Sequence, residues 1–236
     1  MKELNFILQA KGGVGKSLLT YLLGIANQNC EKSLFVDLDS STGTSSRQLK
    51  FLGESRTEAV SLLNEKEVLV RDNLVSYIES LVDARFELIY FDLGAPESEQ
   101  FPALLELDLP FKQFVDELDC KANFHVVIGG GGAYIPSIDY LQKLVIALRG
   151  EFEVTVWQSI TTFKNFSTLS EELKRNCEVL GLRFRTFGDF DPGSNLGSQI
   201  LDGVRKGYGI NEYQTGARIR LKKELNDNFK DELTNN

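Results

Sequence analysis

The sequence predicts an α/β fold: one domain built on a parallel or mostly parallel twisted sheet, with helices on both faces. Three observations predict it. Short apolar runs alternate with amphipathic stretches about seven times, the rhythm of strand–helix–strand units. The apolar runs are nearly continuous, as strands covered on both faces must be. No repeat, low-complexity tract or long linker interrupts the 236 residues, a length that suits a single α/β domain with a sizeable core.

The first unit opens with the strand Leu4 to Leu8. It runs through Gln9-Ala10-Lys11-Gly12-Gly13-Val14-Gly15-Lys16-Ser17 into a helix from Lys16 to about Gln28. Strand, glycine-rich loop and helix in this order form a phosphate-binding context. Glycines let backbone N–H groups crowd around phosphate oxygens, and the helix N-terminus beneath them favours negative charge. In this layout Lys16 reaches the β- and γ-phosphates, and the Ser17 hydroxyl faces Mg²⁺. The general pattern has glycine six residues before the lysine, where Ala10 stands. Alanine fits if it keeps a negative φ.

Ser33 to Asp39 reads as a second strand that ends in Asp37 and Asp39, and the Ser/Thr/Gly run 40–46 as a loop. A carboxylate beside bound phosphates can hold Mg²⁺ through water, and another can position the attacking water. Residues 47–70 show only apolar pieces at 59–63 and 68–70. From Arg71 to Arg85, Leu74, Val75, Ile78, Leu81 and Val82 fall at helical spacing and predict a helix packed on the sheet. Phe86 to Gly94 is a nearly continuous apolar strand that ends in Asp92, followed by Gly94-Ala95-Pro96. This is the Walker B arrangement, in which a buried strand aims one carboxylate at a Mg²⁺-bound water. Gly94 would let the backbone approach a γ-phosphate.

Gln100 to Leu118 reads as a bent helix or two short ones, interrupted by Pro102 and Pro110. Its apolar residues, Leu107 and Leu109 among them, suit the core; a partner face beside Gly94 is the alternative. Asn123 to Ile128 is a strand on which His125, the one histidine, suits a structural role. Gly129 to Gly132 could approach a ligand or serve a tight turn. A helix over 134–148, a strand over 152–160, a loop over 161–165, a helix over 168–180, a strand over 184–187 and a turn over 188–193 follow. Residues 195–206 read as a helix that Asn195 could cap.

Residues 211–236 form a C-terminal helical extension of the single domain 1–236. Its helix, Gly216 to Leu233, mixes Ile219, Leu221, Leu225, Phe229 and Leu233 with Arg218, Arg220, Lys222 and Lys223. Docking on the domain, DNA contact and membrane contact are the options. Glu224, Asp227, Asp231 and Glu232 argue against anionic lipid.

Composition is that of a soluble globular chain, 42% hydrophobic and 25% charged. No apolar run reaches a membrane span, and the N-terminus lacks a signal-peptide layout. Cys30, Cys120 and Cys177 are scattered, which suits free thiols in a reducing cytoplasm and argues against an iron–sulfur centre. The net charge of −8 does not suggest nucleic-acid binding overall. Residues 54–119 carry a balance of −11, however, and residues 164–223 one of +4, so the C-terminal third could hold a basic patch for DNA or a normal mixed surface.

The motif Lys11-Gly12-Gly13-Val14-Gly15-Lys16-Ser17, with Asp37/Asp39 and Asp92, resembles the deviant Walker A ATPases, the ParA/MinD-type P-loop NTPases. Lys11 before the glycine pair is the distinguishing residue. The resemblance implies a P-loop NTPase domain with ATP held by Lys11, Gly12, Gly13, Val14, Gly15, Lys16, Ser17 and Leu18. It implies that Lys11 reaches the partner subunit's nucleotide across an ATP-dependent homodimer. It makes Ser17, Asp37 and Asp92 the Mg²⁺-side residues, and Lys11, Lys16 and Asp39 the catalytic ones, with Asp39 orienting the water. The family often has Pro-Gln-Gly after these acids, where this chain has Ser40-Ser41-Thr42. In the family, adenine is held after the strands here ending near Ile160 and Phe187, but no residue here matches those contacts. Phe6 to Ser17 and Val156-Trp157 look similar to the TraL-type branch of conjugative plasmids. The function implied is a slow, activator-stimulated ATPase that acts as a switch in plasmid partition or conjugative transfer. The alternatives are a nucleotide-triggered scaffold with little hydrolysis, a MinD-like positioning ATPase at membranes, and a metabolic ligase or kinase on the same fold.

Overall fold

The computed structural model describes residues 1–39, 43–106 and 110–230. Its strands are β1 (Lys2–Leu8), β2 (Ser33–Asp37), β3 (Thr57–Ala59), β4 (Leu88–Asp92), β5 (Cys120–Ile128), β6 (Glu153–Ser159) and β7 (Arg183–Phe187). They form one sheet in the order β3-β2-β4-β1-β5-β6-β7, with every pairing parallel. The helices are α1 (Lys16–Ala26), α2 (Thr44–Gln48), α3 (Arg71–Val82), α4 (Ala95–Leu105), α5 (Phe111–Glu117), α6 (Tyr134–Leu148), α7 (Ile160–Phe163), α8 (Ser167–Val179), α9 (Asn195–Lys206) and α10 (Thr215–Asn228).

Alternate strand residues feed two cores. Leu4, Phe6, Leu8, Ile89, Phe91, Phe124 and Val126 pack with α3, α4, α5, α6 and α8 on one face. Ile7, Phe35, Tyr90, Val127 and Trp157 pack with α1, α9 and α10 on the other. The sheet is therefore covered on both sides, which is why its strands read as continuous apolar runs. Register places Phe6 beside Phe91 and Phe124 on the flanking strands. Their rings stack at 4.9 and 5.2 Å between centroids, pairs worth about 0.5–1.5 kcal/mol each beyond their burial.

Several expectations are revised. The segment 100–118 is two helices; the first begins at Ala95, with Pro96 in its opening turn and Pro102 inside, and Pro110 precedes the second. Phe101, Leu104, Leu105, Phe111, Phe114 and Val115 are all buried, while Leu107 and Leu109 lie outside the described residues. Residues 161–165, expected as a loop, begin inside α7. Ser194, not Asn195, caps α9, its side chain accepting from Gly197 N at 3.0 Å. The run 40–46, expected as a loop, is helical from Thr44, where α2 begins, and the short strand β3 lies in the stretch 47–70 that showed only apolar pieces.

In α10, Leu221, Leu225 and the following Phe229 are buried, whereas Ile219 is exposed. Phe229 stacks on Trp157 at 5.0 Å, so this helix is docked on the sheet. Leu233, Asp231 and Glu232 lie outside the described residues. His125 is buried between Trp157, whose Nε1 donates to its Nδ1 at 3.0 Å, and Asn5 Oδ1, 3.2 Å from its Nε2. Burial pushes its pKa down to about 3, so it is a neutral structural residue. The three cysteines are free.

Candidate phosphate-binding site

The loop after β1 takes its shape from its glycines. Gly13 and Gly15 have φ of +79° and +109°, a region that side chains avoid. Gly15 also abuts Phe187, whose ring would lie 3.3 Å from a Cβ there. Ala10 is not among the residues with positive φ, so alanine is accommodated as the sequence required. Val14 is buried and pins the loop against Gly129, where an added Cβ would lie 2.9 Å from Val14 Cγ1.

Gly130 likewise presses on Thr162 and Phe163, and Gly131 on the Phe166 ring. Gly129, Gly130 and Gly131 therefore serve close packing, against backbone only at Gly130, while Gly132 has open space around it. Gln9 ties the loop down. Its Nε2 donates to Val127 O at 2.8 Å and Ser137 O at 3.3 Å, its Oε1 accepts from Lys11 N at 3.1 Å, and its N–H reaches Ser98 Oγ at 3.2 Å.

Helix α1 starts at Lys16 with no side-chain cap, so its first N–H groups face the loop's hollow. Lys16 Nζ donates back to Gln9 O at 3.0 Å. Burial lowers the Lys16 pKa, while Asp92, Asp39 and Glu97 oppose that shift. A partly desolvated ammonium above an uncapped helix end is suited to an anion. Lys11 stands exposed at the loop's rim.

The acids gather on one side. Register sets Asp37 beside Asp92 at the ends of β2 and β4. Asp37 Oδ1 accepts from Asp39 N at 3.1 Å, and its Oδ2 accepts from Ser46 N and Oγ, both at 2.8 Å. Asp92 is buried; its Oδ2 accepts from Ser45 Oγ, and its Oδ1 has no hydrogen-bond partner among the described residues. Its pKa is pushed up to about 6 by burial, against the Ser45 hydrogen bond and the charge of Lys16, with Asp37 adding to the rise. A buried acceptor oxygen beside Lys16 and the loop fits a Mg²⁺-bound water. No group of three or more His, Cys, Asp or Glu that could hold a metal occurs among the described residues; Mg²⁺ completes its shell with water and phosphate oxygens and needs only one or two carboxylates.

Two contributors escaped the sequence reading. Ser45, from α2, fixes Asp92. Glu97, in the first turn of α4, is wholly buried; a Cβ on Gly94 would collide with Glu97 Oε2 and lie 3.0 Å from Asp39 Oδ1. Gly94 is thus where Asp39 and Glu97 converge, next to Lys16. Residues 40–42, where the family's Pro-Gln-Gly would fall, lie outside the described residues.

Comparison with solved structures bears on the fold. The chain superposes on the MinD cell division protein of Aquifex aeolicus (TM-score 0.52, 16% identity, 96% of this chain and 97% of that one). It matches the MinC:MinD cell division complex of the same organism (0.52, 15%, 96% of each). It also matches a plasmid partition protein from Borrelia burgdorferi B31 bound to AMPPNP (0.55, 13%, 96% and 98%). The chain shares the fold of these MinD and plasmid partition proteins. At these identities the likeness is one of fold. No protein-family model matches the sequence, and no curated protein matches it. The all-parallel sheet confirms the fold class, and with it the ParA/MinD resemblance at the level of architecture. No helix among the described residues is long and apolar enough to cross a membrane.

Proposed function

We propose that this chain is a Mg²⁺-dependent ATPase of the ParA/MinD type that dimerises on ATP and serves as a switch in plasmid partition or conjugative transfer in the cytoplasm. The observation that carries the reading is the half-buried Lys16 ammonium, at an uncapped helix start and with Asp92, Asp39 and Glu97 close enough to act on it. The AMPPNP held by the partition protein of the same fold supports nucleotide as the ligand.

In this reading Gly12 to Leu18 bind the phosphates through backbone N–H groups, and Lys16 carries charge to the β- and γ-oxygens. Ser17 and the Asp92/Asp37 pair would hold Mg²⁺, which would supply positive charge against the phosphates. Asp92 offers the open oxygen, and Asp37, with its hydrogen bonds to Asp39 and Ser46, keeps the loop in place. Asp39 orients the attacking water. Lys11, exposed at the rim, supplies a cation to the partner subunit's nucleotide and so makes hydrolysis depend on the dimer. Hydrolysis then releases whatever the dimer holds, a protein activator or DNA bound through the C-terminal third.

Phosphate release with Mg·ATP, read beside light scattering, tests this. Asp39→Ala is expected to stay dimeric in ATP and lose turnover. Undiminished phosphate release removes Asp39 from the mechanism.

A further inference from the structure

The acids crowd the β2–β4 side of the loop, where the terminal phosphate and metal belong. On the phosphate-loop reading, the side left for a nucleoside is the opposite one, where Leu18 meets the turn after β7. The wall there is the turn Gly188–Phe190. Gly188 has a φ of +77° and lies so close to α1 that an added Cβ would be 3.3 Å from Leu18 Cδ2. Its carbonyl accepts from Thr161 Oγ1 at 2.5 Å, which joins it to the loop after β6.

What fixes this turn comes from the C-terminal helix. Glu224 is 1% exposed, and its Oε1 accepts from Gly188 N at 2.8 Å and from Asn228 Nδ2 at 3.1 Å. One turn earlier, Arg220 Nη2 donates to Asp189 O at 2.7 Å and to Asp189 Oδ2 at 2.6 Å. Its guanidinium lies 5.8 Å from the Phe190 ring centroid. Burying a carboxylate is costly unless specific donors meet it, and α10 places this one where its donor is a backbone N–H of the pocket wall.

We propose that α10 is a strap for the nucleoside side of the pocket, with Glu224 and Arg220 as positioning residues that hold the Gly188–Phe190 turn beside Leu18. This rests on the phosphate-loop reading above. The strap acts on affinity for the nucleoside more than on affinity for the phosphates, because the hydrogen bonds of Glu224 and Arg220 end at Gly188 and Asp189 rather than on the loop 12–17.

The test compares binding of Mg·ATP with binding of Mg·tripolyphosphate, which has the phosphates and no nucleoside. Wild type should bind ATP more tightly. Glu224→Ala should lose about tenfold in ATP affinity and stay within about twofold for tripolyphosphate. Glu224→Gln, which keeps an acceptor for Gly188 N, should restore ATP binding. Arg220→Ala removes a partly exposed side chain and carries the test if Glu224→Ala fails to fold; it should lose about threefold for ATP only. Equal losses for both ligands, or unchanged ATP affinity in Arg220→Ala and Glu224→Ala, overturn the strap. Wild type binding ATP no better than tripolyphosphate overturns it too. Wild type binding neither instead overturns the phosphate loop, and the strap with it.

Discussion

Asp92 gives a quantitative prediction. Its carboxyl rises from the ordinary 3.8 to about 6 because burial disfavours the charge. In the unfolded chain the group ionises near 3.8, so between that pH and about 6 the folded state holds a proton that the unfolded state has lost. Stability therefore falls as pH rises through this window and is flat above it. A rise of this size corresponds to roughly 3 kcal/mol. Asp92→Asn cannot ionise, yet keeps an acceptor for Ser45 Oγ. The nucleotide-free variant should match wild type at pH 4 and exceed it by roughly 3 kcal/mol above pH 7, or roughly 6–12 °C in Tm for a chain of this size. Denaturant titrations of both proteins from pH 4 to 8 measure the difference, in which titrating groups remote from Asp92 cancel. A difference that does not change with pH, or an Asn variant less stable at pH 8, refutes the reasoning.

The other predictions follow from contacts in the same site. Gly94→Ala would drive a Cβ into Glu97 Oε2 and against Asp39, so it should cost about 1–3 kcal/mol in denaturant titration and slow phosphate release. Lys11→Ala removes an exposed side chain and should leave ATP affinity unchanged while abolishing ATP-dependent dimers in light scattering; a normal dimer rejects the cross-subunit role.

What could be read from the chain was whatever local chemistry fixes. The phosphate loop was legible because Gly13 and Gly15 must take positive φ and Lys16 must follow them. The strand into Asp92 was legible because a sheet covered on both faces demands an unbroken apolar run. Strand β3 was not, since Thr57-Glu58-Ala59 sits at an edge, half-exposed and without an apolar signature. Glu97 was hidden for a different reason. Nothing local separates a buried first-turn glutamate from a solvated one; only the seating of α4 over Gly94 does. Ser45 joins Asp92 across 47 residues, a contact set by tertiary packing. The start of α4 was missed because Gly94-Ala95-Pro96 is both a turn signal and, with proline in the opening turn, a helix start. Ser194 and Asn195 are equally good caps by type, and the turn that directs Ser194 Oγ to Gly197 N decides between them.

The central claim is that Lys16 and the uncapped start of α1 hold a nucleoside triphosphate. Calorimetric titration of Mg·ATP into wild type and Lys16→Ala tests it most directly. The account predicts saturable binding, one nucleotide per chain, that Lys16→Ala abolishes. No heat of binding at about millimolar ATP, or equal binding by the two proteins, contradicts it.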